Sequence, residues 1–157
     1  MVCNVSNIML RYGYASDVCD VYRFWETPSP INISTASMSA TAPKTTMVLP
    51  LVIRCPADNP KHSSKSVVLA IFSSFGPAAM VTVGFNASLG LDYSATAFDA
   101  ETGEVIDIVN GTRTQQQQQQ QQQYRFRLDR HSFRMVVVKT DDELQTWSAW
   151  HVTDIHV

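Results

Sequence analysis

Ser66-Val-Val-Leu-Ala-Ile-Phe72, broken by Gly76-Pro77 and resumed as Met80-Val-Thr-Val-Gly-Phe-Asn86, is the stretch on which the fold turns. The first run is apolar on both faces, as a central strand covered on both sides requires. The second puts Val81, Val83 and Phe85 on one face. Two consecutive strands joined by a short turn imply a hairpin. Downstream, Leu89-Gly-Leu-Asp92 reads as a turn, Tyr93–Phe98 as a strand, and Asp99-Ala-Glu-Thr-Gly103 as a turn whose glycine can take positive φ. Glu104–Val109 reads as a further strand. Tyr124-Arg-Phe-Arg-Leu128 alternates strictly, with Tyr124, Phe126 and Leu128 inward and both arginines outward, and Phe133–Lys139 closes the set.

Upstream, Ile31–Met38 and Met47–Ile53 are two more short candidate strands, and Pro50 argues for an edge or a bulge in the second. Six to eight short strands, punctuated turns and no long amphipathic helix predict an all-β fold, an antiparallel β-sandwich, over residues 31–140. Residues 1–30 read as an irregular, aromatic-rich linker or docking segment, and 141–157 as a C-terminal tail. The nine glutamines Gln115–Gln123 cannot bury an apolar face. They predict a disordered insertion over 112–123 in a hairpin loop, which costs only a logarithm of its length; self-association is the functional alternative.

At 157 residues with 45% hydrophobic and 17% charged residues, the chain has material for one sizeable core. Twelve Lys and Arg against fourteen acidic residues lack the basic excess that a phosphate-neutralising surface needs, so nucleic acid is not expected as a partner. No apolar run approaches the roughly 20 residues of a membrane span. Asn4, Ser6 and Asn7 interrupt the first ten residues where a signal peptide needs an unbroken apolar region, so the expectation is either no export or a natural beginning elsewhere. Four of six asparagines, Asn4, Asn32, Asn86 and Asn110, open N-glycosylation sequons, which favours the second reading and a secretory or extracellular setting. Cys3, Cys19 and Cys55 permit one internal disulfide and leave one thiol over, without settling the compartment.

Residues able to carry chemistry are few. Asp99, Glu101 and Glu104 share one turn, where acidic residues are ordinarily turn formers. Asp17, Asp20 and Glu26 lie among N-terminal aromatics that suit either a sugar-contacting surface or a packed interface. His151, Asp154 and His156 cluster in the tail, and no third nearby His or Cys completes a metal site. Trp147 and Trp150 suit a sugar clamp or, better, an anchor for the tail. There is no G-x-S-x-G elbow and no glycine-rich phosphate loop. The reading assigns no catalytic residue, no metal and no cofactor.

The order of the stretches Ser66–Gly76, Met80–Asp92, Ala95–Ile106 and Tyr124–Lys139 resembles the C-terminal β-sandwich of glycoside hydrolases in which a catalytic (β/α)-barrel precedes an antiparallel domain. In those domains a strand like "vlvvvsN" is followed by "vtvtldl..LGL", then "atDlwtGe.l", then an alternating strand and "ph.fRlv.l". The segment containing Gly13-Tyr14 and Arg23-Phe24-Trp25 is similar to the "GY…RFlpyW" stretch that leaves the barrel in family 123-like glycosidases. The chain departs from the pattern at Ser73-Ser74, which replaces the usual Asn, at the glutamine run, and in the residues beyond Asp141. No barrel is present, so no acid or base carries over. The resemblance implies a non-catalytic accessory domain, a fragment of a carbohydrate-active protein, that stabilises the missing catalytic barrel in cis, with Tyr14, Tyr22, Phe24 and Trp25 as barrel-docking rings. The alternative is a free-standing extracellular carbohydrate-binding or adhesion sandwich.

Overall fold

The computed structural model describes residues 19–38, 41, 46–56, 66–91, 95–109 and 122–139. Their strands are β1 (Asp20–Tyr22), β2 (Ile31–Ser37), β3 (Val48–Pro56), β4 (Ser66–Ser74), β5 (Ala79–Phe85), β6 (Thr96–Asp99), β7 (Asp107–Val109), β8 (Gln123–Leu128) and β9 (Phe133–Lys139). A five-stranded sheet of order β1-β3-β4-β9-β6 faces a four-stranded sheet of order β2-β5-β8-β7, and every pairing is antiparallel. The expected β-sandwich is present.

The run that is apolar on both faces becomes β4, the middle strand of the larger sheet. Val68, Ala70 and Phe72 point into the space between the sheets. There they meet Val81, Val83 and Phe85 of β5, Tyr124, Phe126 and Leu128 of β8, and Val136 and Val138 of β9. Phe72 and Phe126 lie tilted with ring centroids 5.1 Å apart, and Phe85 and Tyr124 meet edge to face at 5.8 Å. Both are favourable aromatic geometries. The alternation of β8 is as the sequence predicts: Tyr124, Phe126 and Leu128 buried, Arg125 and Arg127 exposed.

The predicted hairpin between β4 and β5 is not formed. β4 pairs with β3 and β9, whereas β5 pairs with β2 and β8 in the opposite sheet. Residues 75–78 therefore turn a corner between sheets. Thr46 pins that corner: its hydroxyl donates to the Pro77 carbonyl at 3.1 Å, and its amide donates to Thr35 Oγ1 at 3.2 Å. A Cβ on Gly76 would stand 3.1 Å from Thr46 Cγ2, so glycine is what lets the two segments approach. A short link serves an edge-to-edge or a face-to-face return equally well. The inward apolar stripes of both strands decide it here, because stacking buries them against each other.

Three boundaries also shift. Residues 1–30, expected to be irregular, contribute β1, which pairs with Val52–Arg54 of β3. β1 does not reach Pro50, so that proline faces no partner on the β1 side, which meets the edge requirement. Of the strands read at Tyr93–Phe98 and Glu104–Val109, the structure has Thr96–Asp99, a single bridge at Val105 and Asp107–Val109; residues 92–94 lie outside the described set. The segment read as disordered to residue 123 ends earlier, since Gln123 is already in β8, opposite Gly84 and Val109.

Candidate docking end

The turn motifs resolve into structure-holding contacts. Asp99 is buried at the end of β6. Its Oδ1 accepts from the amides of Glu101 at 2.9 Å and Thr102 at 3.0 Å, and its Oδ2 accepts from Arg134 Nε at 2.7 Å. Desolvation pushes the carboxyl up, but the Thr102 amide, Arg134 and the Glu101 amide outweigh it and hold it below its ordinary value. Gly103 closes the turn at φ 76°. Arg134 also lies over the Phe126 ring and donates to the Arg127 carbonyl at 3.2 Å. The Asp-x-x-Thr-Gly turn and the Phe-Arg of the closing strand are thus two halves of one tie.

The other acidic candidates are likewise engaged or outside view. Asp20 meets Arg54 at 2.9 Å, and Arg54 Nε donates to Ser66 Oγ and to the Leu89 carbonyl. That carbonyl belongs to the Leu-Gly-Leu turn, where Leu89 is buried and Gly90 has φ 70°. Glu26 accepts from the Arg23 amide and guanidinium, both at 2.9 Å, which lowers its pKa, the amide contributing most. Glu101 and Glu104 are exposed. The described residues contain no cluster of three or more His, Cys, Asp or Glu suited to a metal. Asp17, Tyr14, Asn4, Asn110, Trp147, Trp150, His151, Asp154 and His156 lie outside the described residues. No helix among the described residues is long and apolar enough to cross a membrane.

What stands out is the placement of exposed apolar side chains. Met47 is 65% exposed, Phe75 61% and Phe133 49%, and the strand register brings these three together. Met47 precedes β3 and its carbonyl accepts from the Phe75 amide; Phe133 pairs with Ser73. Met38 leaves β2 at the same end, where its amide donates to the Ala78 carbonyl. Phe24 and Trp25, also exposed, sit in the Arg23–Glu26 turn that follows β1, whose last residue, Tyr22, stands opposite Val52 in the middle of β3. Those two rings pack edge to face at 4.7 Å with the Arg23 guanidinium over the indole. Tyr22, grouped with them from sequence, instead packs against the inner core. One end of the sandwich therefore gathers Met38, Met47, Phe75 and Phe133, a concentration of apolar surface of the kind that marks interaction sites.

The opposite end differs in kind. β2 starts there with Asn32 exposed, Asn86 follows β5, and the link carrying the glutamines leaves from Val109 and returns at Gln123. Asn86 Nδ2 donates to the Ser29 carbonyl at 3.4 Å. The faces differ too. The outward side of the four-stranded sheet carries Asn32, Ser34, Arg125 and Arg127, whereas the outward side of the five-stranded sheet carries a second apolar cluster around Ile53, Leu69, Met135 and Val137. Cys19 and Cys55 sit beside that cluster and form a disulfide, the pairing that the sequence left open. The signal for the docking end was present only as single exposed residues far apart in the chain, and it takes the register to assemble them.

No family model, curated protein or solved structure matches the chain.

Proposed function

We infer that this chain is a non-catalytic accessory β-sandwich, a piece of a carbohydrate-active glycoside hydrolase-like protein, that docks in cis on a catalytic barrel and stabilises it. The observation that supports the reading is the polarity of the sandwich: exposed Met38, Met47, Phe75 and Phe133 gather at one end, and the described sequons Asn32 and Asn86 stand at the other. An apolar end needs a partner surface, and a barrel preceding residue 1 is the partner that the motif order implies. The resemblance to family 123-like domains supplies the glycosidase assignment, and the ties of Asp20, Glu26 and Asp99 to arginines fit structural roles for those carboxylates. The sequons and the Cys19–Cys55 disulfide suit the secretory pathway or the cell exterior.

A free-standing carbohydrate-binding or adhesion module is the second reading, favoured by the exposure of Phe24 and Trp25, aromatic side chains of the kind that stack on sugars. Two assays separate the readings. The purified chain is expected to leave aryl glycosides intact and to show no oligosaccharide affinity that Trp25→Ala removes. Turnover that disappears in Asp20→Asn or Glu26→Gln overturns the accessory reading, and Trp25-dependent sugar binding favours the module.

A further inference from the structure

Two of the sequons, Asn32 and Asn86, lie among the described residues, and their surroundings differ. Asn32 belongs to β2, an edge strand of the four-stranded sheet that pairs with β5. Its side chain is exposed on the outward face, and so is that of Ser34, the hydroxyl residue of the same sequon, whereas Ile33 between them turns inward against the core. Among the described residues, the Asn32 carboxamide has no hydrogen-bond partner. Asn86 is half-buried and built into the fold. Its amide donates to the Pro30 carbonyl at 2.9 Å, its carbonyl accepts from the Leu89 amide at 3.0 Å, and its Nδ2 donates to the Ser29 carbonyl at 3.4 Å. It thereby ties the start of β2 to the Ala87–Leu89 turn.

We propose that Asn32 carries an N-linked oligosaccharide and that Asn86 stays unmodified as a structural asparagine. The proposal rests on the secretory reading above. In the transfer, Asn32 Nδ2 forms a bond to C1 of the first sugar of a polyisoprenyl-diphosphate-linked oligosaccharide. The C1–O bond to the diphosphate breaks, the diphosphate leaves with the electron pair, and Nδ2 gives up a proton. At Asn32 the product projects into solvent and displaces no described contact. At Asn86 it would put a sugar where Nδ2 meets the Ser29 carbonyl, beside the turn that leads into β2. A chain modified before it folds must still place the sugar outside, and Asn32 allows this at no loss of hydrogen bonding. The oligosaccharide is bulky and hydrated. On Asn32 it covers the outward face next to the side of β2 that no described strand pairs, a seven-residue edge of the kind that otherwise invites another strand. The end at Met47, Phe75 and Phe133 stays open to a protein partner.

The test uses the full chain, secreted from a eukaryotic cell line behind a cleavable leader. Enzymatic deglycosylation in heavy-oxygen water, followed by peptide mapping, is expected to convert Asn32 to labelled Asp and to leave Asn86 unlabelled. Asn32→Gln is expected to remove one glycan step from the gel mobility of the secreted protein, and Asn86→Gln none. An unlabelled Asn32, or label at Asn86 equal to that at Asn32, overturns the proposal; should Asn86→Gln fail to be secreted, the mapping of the parent chain decides alone. The appended leader delivers the chain to the modifying enzymes whatever its native compartment. Failure at Asn32 therefore counts against the site, whereas recovery of the native, leaderless-expressed protein in the cytosol counts against the secretory reading.

Discussion

Asp99 shows how a residue that invites a catalytic reading turns out to hold the fold. Both of its oxygens are occupied, by two backbone amides and by Arg134, inside a largely buried setting. Removing it leaves Arg134 and two amides without their acceptor, so Asp99→Ala is expected to cost about 2–4 kcal/mol in urea unfolding. A loss under about 0.5 kcal/mol, the range of an ordinary surface substitution, contradicts the tie. The pH dependence has a definite sign. The folded pKa lies below the unfolded value of roughly 3.9, so this stability is present above that value and is lost as pH falls through the folded one. Asp99→Asn should therefore be less stable than the parent at neutral pH and converge on it under acid. The pairing of Asp99 with Arg134 was legible only as two separate motifs, because nothing in either stretch states that the chain brings them within hydrogen-bond reach.

Among the elements, those with two constraints in their own residues were readable. β8 shows its alternation and β4 its two apolar faces, and each took the position those patterns require. The corner at 75–78 was not readable, since its length and composition suit a hairpin as well; the choice depends on which surfaces the neighbouring strands bury. β1 escaped notice because three residues cannot show a period. Its signal was the cysteine pair, which places Cys19 beside Cys55 across the β1–β3 pairing. That disulfide closes 36 residues of chain, so Cys19→Ser with Cys55→Ser is expected to lower stability by about 3–4 kcal/mol. An unchanged midpoint in urea contradicts a stabilising disulfide between the two cysteines. Excising Gln115–Gln121 from the link between β7 and β8 should change stability by less than about 1 kcal/mol, as loop-closure entropy varies slowly with length. A larger loss means that the glutamines take part in the fold.

For the whole molecule, the account rests on a sandwich with two unlike ends: rings and methionines at one, sequon asparagines and the glutamine link at the other. The fold class followed from strand count and turn spacing, whereas the docking end depends on register, which joins Met47 before β3, Phe75 after β4 and Phe133 at the start of β9. An isolated chain with that end uncovered has only its own copies to bury it against. Sedimentation velocity over a concentration series, comparing the parent with Phe75→Lys combined with Phe133→Lys, tests this most directly. Both positions are already exposed, so the substitutions should leave Tm unchanged. The account predicts concentration-dependent self-association of the parent and a monomeric double variant; a parent that remains monomeric throughout, or a double variant that associates just as strongly, contradicts it.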